Sequence, residues 1–393
     1  MLVRICDRTH THSSMQHDTG RYDLRCSDRD TGKKNNMSIQ GLLGSVRLSD
    51  LRGRDNNFNF LRVLAAALVV ASHSYWLTGH EPEEPTLRLL GVGGGDLGVD
   101  IFFVLSGFLV AKRFSGKTLA EFTWARFTRI YPGLWASVIV TVLVAAVFFA
   151  KLPTIEFLRS HDTLTYFAHN LTMLPKFGAQ QGLLNVFPLQ DHLFDSPLWT
   201  LPIELQMYMI LALVGAVLGI RARYVGALMV LGAASTLLSA HGVHLLSLDR
   251  ARFIYFFFAG SLAYTLRHRI VLTARIAGPL LAIVVAAPIF HAPTVARQAI
   301  LALALPYLLL WCAYVPAGVI REWNRLGDYS YGIYIYAFPV QAALVSIGAA
   351  VTPWGNFAMT MLVVVPLAAA SWHLLEHRTL RIPMPRFRSA FGA

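Results

Sequence analysis

Long apolar runs recur from residue 58 almost to the end of the chain. A run of about 20 apolar residues can cross the hydrocarbon core of a bilayer as a helix, and backbone groups in lipid must pair within their own segment. The chain is 55% hydrophobic and only 14% charged, which is typical of membrane proteins. The sequence therefore predicts an all-α polytopic membrane protein with about ten transmembrane helices. The predicted spans are about 58–77, 96–113, 131–150, 198–219, 224–240, 252–267, 274–291, 297–315, 330–350 and 356–376.

The distribution of Lys and Arg predicts how these helices are oriented, because cytoplasmic loops carry an excess of positive charge. With the N-terminus inside, sixteen Lys and Arg residues fall in the predicted inner loops and the C-terminal tail, and seven fall in the outer loops. An even number of spans then places both termini in the cytoplasm. The net charge of +12 fits inner loops that face anionic lipid. Because no basic and aromatic module accompanies this charge, we expect a lipid bilayer as partner and no nucleic acid.

The two ends of the chain differ in composition from its middle. Residues 1–56 are polar and contain no long apolar run, so we expect them to be disordered, with Met37 as an alternative start. Residues 57–380 form the predicted membrane domain, and 381–393 form a basic cytoplasmic tail. The long connection at about 151–197 is predicted outside, where 162–174 re-enters the membrane or lies on its surface. No His, Cys, Asp or Glu spacing indicates a metal, and we expect none.

Arg62 and His73 lie in the first predicted span, with ten residues between them. A charged side chain in a spanning helix costs about 2.5–3.5 kcal/mol by insertion scales, so such residues are functional candidates. On a helix the two lie about 16 Å apart along the axis, which separates them across much of the membrane. A neutral imidazole can accept a proton from a hydroxyl. A histidine in an apolar helix can also be a hydrogen-bonded core residue, and the sequence leaves that alternative open.

Two carboxylates lie within the predicted spans. Asp100 follows Gly98 near the outer end of the second span, and Glu204 lies about two turns into the fourth. A buried carboxylate needs a partner or takes up a proton. We expect both to lie at a depth similar to that of His73, although Asp100 could instead cap its helix, and Gly107 is expected to serve helix packing.

Arg126 and Arg129 lie three residues apart, so they share one face of a helix on the predicted cytoplasmic side. Two guanidiniums on one face are well suited to binding phosphates. The equally simple alternative is that these arginines only anchor the helix at the cytoplasmic face, where positive charge is enriched. The sequence thus predicts two groups at opposite depths. The outer group is His73, Asp100 and Glu204, and the inner group is Arg62, Arg126 and Arg129.

Several ordered stretches together resemble the membrane acyltransferase-3 family, the bacterial polytopic enzymes that O-acylate cell-surface sugars. The resemblance covers about residues 57–380. In one place the chain departs from many members, which have a histidine before the Phe-Pro of the ninth span, where this chain has Ala337. The matching stretches are the Arg-x10-His pair Arg62/His73, GVDIFFVLSGFL at 98–109, the Arg-x-x-Arg pair Arg126/Arg129, SPLWTLPIE at 196–204, DYSYGIYIY at 328–336, and Glu376.

The resemblance implies transfer of an acyl group, acetyl on family grounds, from cytoplasmic acyl-CoA to a hydroxyl of a glycan or lipid-linked sugar outside the inner membrane. It implies that the inner group holds the phosphates of the acyl-CoA and that His73 accepts the hydroxyl proton. Asp100 or Glu204 would then orient His73, as a carboxylate does in a triad. A covalent acyl-His73 intermediate stays open. From the buried charges alone, a proton-coupled transporter of a small solute is the alternative function.

Overall fold

The computed structural model describes residues 45–51, 55–114, 116–173, 186, 197–239, 241–325 and 327–384. The predictions of disorder for residues 1–44 and of a basic tail at 385–393 lie outside the described residues. The described part is almost entirely helical, with one short pair of antiparallel strands. The helices in chain order are α1 Phe58–Leu77, α2 Pro85–Leu90, α3 Gly94–Phe114, α4 Leu119–Val144, α5 Thr154–Arg159, α6 His161–Thr172, α7 Thr200–Val217, α8 Ala222–Ser239, α9 Leu248–Thr265, α10 Ala274–Ile289, α11 Thr294–Tyr314, α12 Val319–Glu322, α13 Ser330–Ser346, α14 Pro353–Ser371 and α15 His377–Thr379.

The predicted spans all coincide with helices, and their bounds differ by a few residues at most ends. The largest difference is at α4, which begins at Leu119 because Thr118 and Glu121 form a capping box there. Seven helical segments of the described chain are long and apolar enough to cross a membrane. The helices α9, α10 and α13 are shorter or more polar. The structure thus confirms an all-α polytopic architecture, while the count of ten crossings and the side of the termini stay predictions.

Residues 45–51 are ordered, which differs from the disorder expected for the whole of residues 1–56. Strand β1, Val46–Arg47, pairs antiparallel with strand β2, Val271–Leu272. Leu48 is buried beside them, and its backbone N–H donates to the carbonyl of Ile270. A short apolar stretch within a polar segment is therefore ordered here, with Leu48 as its buried side chain.

The centre of the bundle depends on close approach between α3 and its neighbours α1 and α9. A Cβ atom built on Gly107 would lie 1.9 Å from the carbonyl oxygen of Phe257, and one built on Gly260 would lie 2.0 Å from that of Val104. Small residues of this kind allow membrane helices to pack backbone to backbone. The packing role expected for Gly107 is therefore confirmed, and α3 and α9 touch backbone to backbone at this level.

The connection between α4 and α7 begins with two short helices, α5 and α6. Ser160 caps α6 by accepting a hydrogen bond from the backbone N–H of Thr163. Helix α6 packs on α4, where the indole N–H of Trp135 donates to the carbonyl of Leu171. The region predicted to re-enter or to lie on the surface is therefore a helix packed against the bundle.

Candidate functional site

Asp328, just before α13, brings two arginines of the inner group together. Its Oδ2 atom lies 2.5 Å from Nη1 of Arg62 and 2.5 Å from Nη2 of Arg129, and Ser330 donates a hydrogen bond to Oδ1. Burial alone would raise the pKa of Asp328, but the positive charges of Arg62 and Arg129 outweigh it and lower this pKa to about 2. Asp328 is therefore ionised at neutral pH and neutralises part of the inner group.

A second carboxylate completes the surroundings of Arg129. Oε2 of Glu376 lies 3.4 Å from Nη1 of Arg129, and Oε1 accepts a hydrogen bond from Ser371. The Arg129 guanidinium also lies over the rings of Tyr331 and Trp372, at 5.6 and 5.5 Å from their centroids. Arg129 is thus held from four sides, and two acids already balance much of its charge.

Arg126 differs from the other two arginines of the inner group. It is only 7% exposed, and its guanidinium lies over the rings of Phe122 and Tyr208, at 5.8 and 5.7 Å from their centroids. No residue of the described chain forms an ion pair with it, and its Nε atom is buried with no hydrogen-bond partner there. It is close enough to Arg129 and Arg62 for their charges to interact. A buried cation that forms no ion pair within the described chain is costly, and an anion bound against it would lower that cost.

Glu204 lies beside the inner group, and the expectation that it joins His73 is wrong. Its Oε1 atom accepts hydrogen bonds from the hydroxyls of Ser106, at 2.9 Å, and of Tyr208. Tyr208 is the residue whose ring lies under Arg126, and the charges of Glu204 and Arg126 interact. Because Glu204 approaches α3 at Ser106, two turns beyond Gly98, it lies nearer the arginines than its position in the sequence alone predicts.

Asp100 is bound by Arg252, and the expectation that it orients His73 is also wrong. Oδ1 and Oδ2 of Asp100 accept hydrogen bonds from Nε and Nη2 of Arg252, at 2.8 and 2.9 Å. Nη1 of the same arginine lies 2.9 Å from Asp96. This two-point pairing uses both oxygens of a carboxylate that is 2% exposed. The ion pair between Asp100 and Arg252 therefore joins α3 to α9.

The register between α1 and α3 explains why the depths of Asp100 and His73 differ. A Cβ atom on Gly98 would lie 2.5 Å from the carbonyl oxygen of Ala65, so the two helices touch at that level. Asp100 lies beyond Gly98 on an antiparallel neighbour, whereas His73 lies eight residues after Ala65. The two side chains are therefore separated by at least two helical turns, about 11 Å.

His73 lies on the side of α1 that packs against α13. Its half-buried ring meets the ring of Phe338 edge to face, with 5.1 Å between centroids. One residue later, Ser74 accepts a hydrogen bond from Nε2 of Gln341 at 2.7 Å, and the same nitrogen donates to the carbonyl of Val70 at 2.8 Å. These buried contacts fix the turn of α1 that carries the imidazole, so His73 faces protein rather than lipid.

No hydrogen bond to the imidazole of His73 is formed within the part of the chain that the structure describes. The acid whose charge reaches it is Asp96, at the start of α3. An imidazole with its nitrogens uncommitted can accept a proton from a ligand. Of the predicted outer group, the structure thus separates His73 from both Asp100 and Glu204.

Sequence reasoning missed several residues around both groups. Arg252 is one of the seven charges assigned above to the outer side, and the sequence did not link it to Asp100, although a buried carboxylate needs a cation. Tyr208 lies four residues after Glu204 on one helix face, a spacing that could have identified it. Asp328 and Glu376 were named only as part of the family resemblance, with no role. Nothing in their local sequence indicates which arginine they pair with.

Comparison with known proteins adds independent information. A sequence profile of the acyltransferase-3 family, described as an acyltransferase domain, matches residues 55–373. An O-acetyl transferase of Shigella phage Sf6 is 26% identical over 85% of this chain and 98% of its own length. Nodulation protein 10 of Rhizobium leguminosarum bv. viciae is 29% identical over 84% of this chain and 94% of its own length.

One further relative matches a smaller part of the chain. The peptidoglycan O-acetyltransferase OatA of Listeria monocytogenes serovar 1/2a is 28% identical over 38% of this chain and 22% of its own length. No solved structure is significantly similar to the chain.

Proposed function

Because the chain belongs to the acyltransferase-3 family, we propose that it transfers an acetyl group from cytoplasmic acetyl-CoA to a hydroxyl of an extracytoplasmic glycan. Family membership makes the chain an acyltransferase rather than the transporter that its buried charges alone allowed. The acceptor in this proposal is a surface polysaccharide such as O-antigen or exopolysaccharide, reached from a bacterial inner membrane. The O-acetyltransferase names of the phage and Listeria relatives support acetyl as the acyl group and a hydroxyl as its acceptor.

The proposal that acetyl-CoA is the donor rests on the surroundings of Arg126. It is a buried guanidinium without an ion pair in the described chain, beside two arginines whose charges are already balanced by Asp328 and Glu376. The charge of Glu204 acts on Arg126 without forming an ion pair with it. A diphosphate would bind Arg126 directly, and guanidinium–phosphate contacts are strong because they are charge-assisted. In this proposal Arg126 binds the diphosphate of acetyl-CoA directly, and Arg62 and Arg129 add positive potential around it.

The acceptor half of the proposal rests on His73. Arg62 and His73 lie about 16 Å apart along α1, so a donor held by its phosphates can extend its pantetheine arm along the bundle toward the imidazole. His73 takes the proton from the acceptor hydroxyl as its oxygen attacks the thioester carbonyl. The carbon–sulfur bond then breaks, and the thiolate of coenzyme A takes the proton back from the imidazolium.

The donor site is tested with the full chain purified in detergent and titrated with acetyl-CoA. The account predicts that Arg126→Ala weakens binding at least tenfold, because a hydrogen bond to a charged group contributes about 1.5–3 kcal/mol. Arg223→Ala is the matched control, since Arg223 is a surface arginine at the predicted cytoplasmic side and stacks only on Tyr224. Equal affinity of Arg126→Ala and the unchanged protein would refute the donor site.

A further inference from the structure

Arg113 lies at the end of α3 and takes no part in the ion pairs described above. It is exposed, in the last turn of the helix. It lies seven positions after Ser106, so the two side chains lie on the same face of α3, two turns or about 10 Å apart. Ser106 is the residue that hydrogen-bonds Glu204. Arg113 therefore lies on the face of α3 that borders the inner group, two turns nearer the end of the helix.

The neighbouring aromatic residue connects Arg113 to Arg126 more closely. Phe114 packs edge to face on Phe122, with 5.2 Å between ring centroids, and the Phe122 ring lies beneath the Arg126 guanidinium. The positive charge of Arg113 interacts with those of Arg126, Arg62 and Arg129. Among the described residues no acid forms an ion pair with Arg113. Arg62 and Arg129 are balanced by Asp328 and Glu376, but Arg113 and Arg126 are like charges that form no ion pair in the described chain. An anion bound between them would relieve their repulsion.

Resting on the proposed function, we propose that Arg113 binds the 3′-phosphate of coenzyme A and gives the donor site its preference for the complete nucleotide. The order of groups along the donor supports this assignment. The thioester is at one end, the diphosphate lies in the middle, and the ribose with its 3′-phosphate is at the other end. The cations follow the same order, because Arg126 is buried and Arg113 is exposed at the helix end. The outermost arginine therefore meets the outermost phosphate.

The test compares two ligands that differ only in that phosphate, coenzyme A and 3′-dephospho-coenzyme A. Their dissociation constants are measured by calorimetry on the full chain in detergent. The unchanged protein is expected to bind coenzyme A at least tenfold more tightly than the dephospho form. In Arg113→Ala the affinity for coenzyme A falls to that of the dephospho form, whose own affinity stays unchanged. Arg113→Lys keeps part of the preference, because it keeps the charge but loses the planar fork.

Lys112→Ala is the matched control. Lys112 is also exposed and also carries one positive charge at the end of α3, but it points about 100° away around the helix. Both affinities are expected to stay unchanged in Lys112→Ala. If Arg113→Ala weakened the binding of both ligands equally, or of neither, Arg113 would not be the residue that binds the 3′-phosphate. That result would leave the donor site at Arg126 unaffected. If the unchanged protein bound neither ligand, the proposed function itself would fall with it.

Discussion

Single buried charges determine how this molecule is arranged, and Asp100 illustrates this most clearly. Its local sequence, an acid near the start of an apolar helix, is equally compatible with a catalytic role, a cap or an ion pair. The structure pairs it with Arg252 from a helix that begins almost 150 residues later. A partner so distant in sequence cannot be read from spacing. What can be read is that a buried carboxylate requires some cation.

This ion pair predicts that Asp100 stabilises the folded protein and takes no direct part in acetyl transfer. Asp100→Ala leaves Arg252 without its buried counter-ion, which is expected to lower the free energy of unfolding by about 3–5 kcal/mol. The double change Asp100→Leu with Arg252→Met removes both charges, so we expect it to restore most of that stability and to retain acetyl transfer. Thermal unfolding in detergent and an activity assay in membranes measure the two effects.

Asp96 provides the control for this pair. It contacts the same arginine, but its side chain is 55% exposed, so water screens the interaction and Asp96→Ala is expected to cost at most about 1 kcal/mol. A double variant of Asp100 and Arg252 that folds normally and is inactive would show that Asp100 has a direct part in the reaction.

At the scale of helices, the sequence is a good guide to position along the chain and a poor guide to register between neighbours. Apolar length located the helices, because a bilayer sets the length of a spanning segment. The level at which α3 meets α1 depends on contacts such as that of Gly98 with Ala65. Contacts of this kind join residues far apart in the chain, so the depth assigned to Glu204 and Asp100 from sequence was wrong.

The crossing of α3 and α9 predicts a strong effect of very small changes. In Gly107→Ala or Gly260→Ala the added methyl would overlap a backbone carbonyl oxygen of the other helix, which a side-chain rotation cannot relieve. We expect either change to lower the free energy of unfolding by about 1–3 kcal/mol or more, measured by thermal unfolding in detergent.

Gly226→Ala is the matched control for these glycines. Gly226 lies within α8, and a Cβ atom built on it would come no closer than 3.8 Å to a side-chain carbon of Leu262. Because alanine favours helix over glycine, this change is expected to be neutral or to stabilise by up to about 1 kcal/mol. Equal stability of all three variants would contradict the close packing of α3 on α9.

For the molecule as a whole, the sequence located the inner arginines and His73 better than it located their partners. Arg62, Arg126 and Arg129 do lie together, because two of them share Asp328 and the third interacts with both. His73 lies inside the bundle against Phe338. The partners were missed since Asp328, Glu376 and Arg252 approach from other helices. The order of helices around a bundle is set by tertiary packing, which one sequence does not display.

The proposed division of labour assigns donor binding to the arginines and proton transfer to His73, about 16 Å apart on α1. It therefore predicts that the two activities can be separated by mutation. The measurement is acetyl transfer from radiolabelled acetyl-CoA to surface glycan in membranes, combined with acetyl-CoA binding by the same purified variant. In His73→Ala we expect transfer to fall at least a hundredfold, because general-base catalysis contributes about 10²–10⁴-fold, while acetyl-CoA affinity stays unchanged. Normal transfer by His73→Ala at a normal protein level would contradict the account.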